Sequence, residues 1–79
     1  MSLFTMSALD ALLRQKEQQY LNKTLQNVVD GQRFVCVGVE LITNLWGEQR
    51  VRLRVREENG THMWVIGCPF ADANFTIVE

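Results

Sequence analysis

The sequence predicts a small α+β domain: an N-terminal helix packed on a four- to five-stranded antiparallel sheet. Three observations predict it. Gln49-Arg50-Val51-Arg52-Leu53-Arg54-Val55-Arg56 alternates strictly between aliphatic residues and arginines, the signature of a half-buried strand. The segment from Leu9 to Tyr20 repeats its apolar residues at helical spacing. From Arg33 onward, apolar runs of strand length are separated by turn-forming residues. Residues 1–79 form a single domain, with 1–6 read as a flexible start, 7–23 as helix and 24–79 as mainly antiparallel sheet. A chain of this length buries only about 60% of its unfolded surface, so its core is small and dimerisation is a natural supplement to stability.

Ser7-Ala8-Leu9-Asp10 has the form of a capping box with Asp in the place of Glu, which starts the helix at Ala8. Leu9, Leu12, Leu13, Lys16 and Tyr20 then lie within an arc of about 100° at 3.6 residues per turn. Lys16 belongs to that stripe through its methylene stem. Leu21, Leu25 and Val28 fall off the arc, so the helix is expected to end near Asn22 or Lys23. The next residues, Thr24 to Val29, suit a short strand, a loop or the last turn of a bent helix, and the short strand, Leu25 to Val29 closed by the turn dipeptide Asp30-Gly31, is the favoured reading.

Four further strands follow: Phe34 to Ile42, Gln49 to Glu57, Thr61 to Cys68 and Phe75 to Val78. Asn44-Leu45-Trp46-Gly47, Glu58-Asn59-Gly60, and Pro69 with Ala71-Asp72-Ala73-Asn74 supply the connections. The economical arrangement is a meander, which could curl into a small barrel if the short first strand joins it. A two-residue turn at Asn59-Gly60 sets Val55 opposite Trp64 and Leu53 opposite Ile66, placing Trp64 on the core side. A five-residue loop from Thr43 to Gly47 would align Val35, Val37, Val39 and Leu41 with Val55, Leu53, Val51 and Gln49. The same register sets Glu40 opposite Arg50 and Phe34 opposite Arg56. Cys36 then falls on the arginine face and Cys68 on the core face, and from this both are expected to be free thiols.

Eight Lys plus Arg against nine Asp plus Glu give a net charge of −1, which excludes nucleic-acid or membrane binding driven by overall charge. No apolar run approaches the roughly 18 to 20 residues of a membrane span, and the start lacks the basic and apolar regions of a secretory signal, so the expected location is the cytoplasm. Catalytic residue types are scarce. His62 is the only histidine; it stands six residues from Cys68, about 20 Å along an extended strand, too far for a dyad. There is no second histidine, no Cys-x-x-Cys and no glycine-rich phosphate loop, so neither an enzyme, a metal site nor a cofactor is expected.

The clustered cations are the one feature pointing to a partner. Arg50, Arg52, Arg54 and Arg56 occupy one strand face within about 20 Å. Arginine pairs bidentately with carboxylate or phosphate and stacks on aromatic rings, as lysine does not. The competing account is local neutralisation by Glu40, Glu48, Glu57 and Glu58. Parity adds Phe34, Met63 and Val65 to the arginine face, a mixture that suits a protein contact better than base stacking. Trp46, in its loop, either joins that contact or folds back onto the core. The expectation is a non-enzymatic binding protein acting by protein–protein contact through Arg50, Arg52, Arg54, Arg56, Phe34, Trp46 and Met63, of the kind phages and other mobile elements encode as inhibitors or accessory factors. The alternatives are a nucleic-acid-binding domain using the same arginines, and a structural subunit of a homo-oligomer, for instance a homodimer paired through the helix.

Overall fold

A computed structural model of the chain describes residues 8–78. Helix α1 spans Ala8–Tyr20, followed by β1 (Thr24–Asn27), β2 (Arg33–Thr43), β3 (Gln49–Glu57), β4 (Met63–Gly67), helix α2 (Cys68–Asn74) and β5 (Phe75–Val78). The strands form one antiparallel sheet in the order β4-β3-β2-β1-β5. β1 to β4 are a meander, but β5 lies beside β1 at the far edge, and α2 carries the chain there. The sheet is open, with β4 and β5 as its edges, so the barrel does not close. The Ser7 half of the capping box and the flexible start lie outside the described residues.

Helix α1 ends where its stripe runs out. Tyr20 is its one buried residue, Leu13 packs against the core, and the Lys16 side chain is only 14% exposed. Asn22 takes the left-handed conformation at φ 65°, which asparagine tolerates, and the Lys23 N–H closes on the Tyr20 carbonyl at 3.0 Å. That turn is fastened to the sheet. The Asn22 N–H donates to the Cys36 carbonyl and the Cys36 N–H donates to the Lys23 carbonyl, both at 2.9 Å. β1 is a true strand, and Gly31 at φ 77° ends the turn after it.

The core lies between the sheet and the two helices and is built from Tyr20, Leu25, Phe34, Cys36, Val51, Leu53, Val55, Cys68, Ala71 and Phe75. The β3–β4 register is as expected, with Val55 opposite Trp64 and Leu53 opposite Ile66. The β2–β3 register is not. Leu41 faces Val51, Val39 faces Leu53 and Glu40 faces Arg52 rather than Arg50. Two local causes combine. The loop is Asn44–Glu48, closed by the Asn44 N–H on the Glu48 carbonyl at 2.8 Å, one residue later than expected. A β-bulge between Cys36 and Gly38 then reverses the parity of the first part of β2. Val35 therefore turns out toward Arg56, Val37 is 41% exposed, and Phe34 and Cys36 turn into the core.

This corrects two expectations. Phe34 is 9% exposed, faces Glu57 rather than Arg56, and packs edge-on against Phe75 with ring centroids 6.0 Å apart. Cys36 and Cys68 are free thiols, yet both belong to the core rather than to opposite faces. Burial pushes both thiols above the ordinary cysteine range.

The connection after β4 is a helix rather than an irregular loop. Pro69 sits in its first turn, where a missing N–H costs nothing. Cys68 and Ala71 face the core, and Asp72 reaches α1, accepting from the Tyr20 hydroxyl and pairing with Lys16 Nζ at 2.9 Å.

Candidate binding face

Because Val51, Leu53 and Val55 are at most 5% exposed, the arginines between them stand on the opposite face of β3. The register gives each its neighbours. Ile42, Glu40 and Gly38 of β2 lie beside Arg50, Arg52 and Arg54, and Val35 beside Arg56. On the other side Gly67, Val65 and Met63 of β4 lie beside Arg52, Arg54 and Arg56.

The four guanidinium groups differ in what they already hold. Arg52 Nε donates to Glu40 Oε1 at 2.6 Å across the strands, and Arg50 Nη2 to Glu48 Oε2 at 2.9 Å. Arg56 Nη1 donates to the Gly60 carbonyl at 3.3 Å, which ties it to the hairpin turn. The two remaining candidate neutralisers point elsewhere: Glu57 meets His62 Nδ1 at 3.2 Å and Glu58 lies 4.0 Å from Arg33. Arg54 is exposed and, among the described residues, has no carboxylate within 4.0 Å. Its stem lies over Gly38, where an added Cβ would meet Arg54 Cβ and Cδ at 3.8 Å. Beside it Val65 is 57% exposed, and beside Arg56 Met63 is 47% exposed. The face is thus a cationic row in which Arg54 and Arg56 have no carboxylate partner among the described residues, with an apolar margin.

Met63 and the four arginines share this face, as expected; Phe34 does not. Trp46 stands apart at the tip of the β2–β3 turn, 83% exposed beside Leu45 at 97%, and it does not fold back on the core. Asn44 holds the turn: its Oδ1 accepts from the N–H groups of Trp46 and Glu48, both at 2.9 Å. Gly47 at φ 80° completes it. The Glu48 carboxyl, bonded by the Asn44 amide and then by Arg50, titrates below the ordinary range. Replacing Asn44 with Ala removes both main-chain contacts, and urea denaturation is expected to show a loss of about 1 kcal/mol.

Parity places Trp64 on the core side, and it does lie on that side, yet it is 54% exposed. Periodicity reports a face, not whether anything covers it, and β4 is an edge. An apolar groove of about 620 Å³ opens nearby, where β4 ends its pairing at Gly67 and β3 continues back to Gln49. Leu9 and Leu12 of α1 line it together with Val51, Ile66 and Pro69. Among the described residues no group of three or more His, Cys, Asp or Glu could hold a metal ion, and no helix is long and apolar enough to cross a membrane.

No protein-family model, no curated protein and no solved structure matches the chain.

Proposed function

We propose that this chain is a non-catalytic binding protein that works by protein–protein contact through the arginine face of its sheet, against a partner surface carrying carboxylates. The observation that carries the reading is Arg54. A solvent-facing guanidinium with no carboxylate within 4.0 Å among the described residues, lying beside the exposed Val65, is the arrangement that an acidic and apolar partner surface complements. Local neutralisation accounts for Arg50 and Arg52 only. The burial of Phe34 favours a protein over single-stranded nucleic acid, because it takes away the one aromatic platform assigned to this face. An inhibitor or accessory factor, acting by occupying a partner's surface, suits a domain of this size.

The test uses the wild type, Arg54→Glu, and the double reversal Arg52→Glu with Arg54→Glu as baits in lysate of the source cell. Arg54→Glu breaks no ion pair and is the cleaner variant, whereas Arg52→Glu sets a carboxylate against Glu40. A protein captured by the wild type is expected to bind either variant at least about tenfold more weakly, with circular dichroism unchanged. Capture unaffected by both variants would refute the reading. Micromolar binding to oligonucleotides that weakens steeply with salt and disappears in Arg54→Glu would replace it with the nucleic-acid alternative.

A further inference from the structure

The edge strand β4 is open and unprotected. Its five residues, Met63-Trp64-Val65-Ile66-Gly67, include no charge, no proline and no bulge, the devices by which proteins ordinarily protect a sheet edge. Met63, Trp64 and Val65 are 47%, 54% and 57% exposed, so the strand shows apolar surface on both faces. A domain this small gains proportionately from further burial.

The hydrogen-bond phase of the strand says what can pair with it. The Glu57 N–H donates to the carbonyl of His62, its cross-strand partner, which marks a hydrogen-bonded pair. Counting along the register, Trp64 with Val55 and Ile66 with Leu53 are also hydrogen-bonded pairs. Met63, Val65 and Gly67 therefore aim their N–H and C=O groups away from β3, at the open edge. The other edge is poorer. The Val28 N–H donates to the Asn74 carbonyl, which sets the phase of β5 and leaves Phe75 and Ile77 as its only outward-directed residues.

We infer that the chain forms a two-fold symmetric dimer in which β4 pairs antiparallel with β4 of a second copy, centred on Val65. This register uses every outward group of the strand: Val65 faces Val65 of the second copy, and Met63 and Gly67 face one another twice, giving six main-chain hydrogen bonds. Registers centred on Trp64 or Ile66 give four. The occupant is a second copy because the edge is complementary to itself. The two-fold axis keeps the core sides of both copies together, so Trp64 of one lies beside Ile66 of the other, a residue that lines the apolar groove. It brings no like charges into contact. The nearest arginine rows are three strand spacings apart, about 14 Å, beyond the roughly 8 Å screening length at physiological salt. The dimer stands whether or not the arginine face binds a partner, and it would join two such faces across an apolar seam of Met63 and Val65.

Sedimentation of the full chain from micromolar to about millimolar concentration tests this. The wild-type mass is expected to rise from 9.1 kDa toward twice that value and stop there. Val65→Pro removes an outward N–H that β3 does not use, and Val65→Lys places like charges across the axis; both are expected to raise the dimer dissociation constant at least about 100-fold while keeping the monomer folded. Amide exchange gives an independent signature. On dimerisation Met63, Val65 and Gly67 should slow together, while Trp64 and Ile66 are protected in both states. Val65→Cys, with Cα atoms about 5.5 Å apart across the axis, should oxidise to a linked dimer. A wild type that stays monomeric, a Val65→Lys variant that dimerises as well as wild type, or growth beyond two copies, which indicates β4 pairing with β5, would each overturn the inference.

Discussion

Leu53→Ala is expected to lower the unfolding free energy by about 3–4 kcal/mol. Leu53 is fully buried at the centre of β3, opposite Val39 on one side and Ile66 on the other. No mobile neighbour can collapse into the space, because both flanking strands are held by the pairing of the sheet, so the cavity term adds to the transfer term. A domain of 79 residues has a total stability of about 4–12 kcal/mol, so the loss removes a large fraction of it. In urea, with a slope of about 1 kcal/mol per molar for a protein this small, the midpoint should fall by about 3 M. The same experiment on Val39→Ala, at a partly buried position, should give a clearly smaller shift. Equal shifts would mean that β3 is not the centre of the packing and that β2 contributes as much.

Asp72→Ala is the second. Asp72 joins the two helices by accepting from the Tyr20 hydroxyl and pairing with Lys16, and Tyr20 is 3% exposed. Truncation leaves that hydroxyl without its partner, at an expected loss of about 1–2 kcal/mol; the 41% exposure of the Asp72 side chain keeps the figure low, since water can partly replace it. The pH dependence identifies the cause. Burial pushes the Asp72 carboxyl up, but the Tyr20 hydroxyl and the Lys16 ammonium outweigh it and hold the group below the ordinary carboxylate range. A carboxyl that titrates lower in the folded than in the unfolded chain contributes fully above about pH 4 and loses that contribution as pH falls through its folded value. Stability should therefore rise with pH across this acid window in the wild type, and rise less in Asp72→Asn. At the other extreme, burial and then Asp72 raise the Tyr20 hydroxyl far above its usual range, so its contribution persists below about pH 10 and is lost only in stronger alkali. Parallel acid profiles for wild type and Asp72→Asn would mean that other carboxyls dominate.

The elements read correctly from the residues are those whose local pattern admits one answer. β3 alternates without exception, and the short Asn59-Gly60 hairpin leaves one register for β4, so the pairs Val55–Trp64 and Leu53–Ile66 followed directly. Helix α1 was bounded within two or three residues because its stripe stops at Tyr20. The arginine row was legible for the same reason: a period of two separates its side chains from the core whatever the rest of the fold does. Trp46 offered two outcomes, and its turn, fastened by Asn44, chose the exposed one.

The rest depended on contacts between residues far apart in the chain. β2 carries apolar side chains at both parities, Phe34 and Cys36 on one and Val35, Val37, Val39 and Leu41 on the other, so no local preference decides which face is buried. The structure settles it from outside the strand. The end of α1 bonds to Cys36, Phe75 packs on Phe34, and the bulge at Val37 lets both ends of β2 supply the core. Helix α2 is too short for periodicity to reveal and is held by burying Cys68 and Ala71 and by the reach of Asp72 to Tyr20. Which strands become edges is likewise a property of the assembled sheet, and it turns Trp64 from an expected core residue into an exposed one. Alternation and turn chemistry act over a few residues and so are written locally; choice of face, register beyond a bulge, and edge position are settled only when distant segments compete for the same small core.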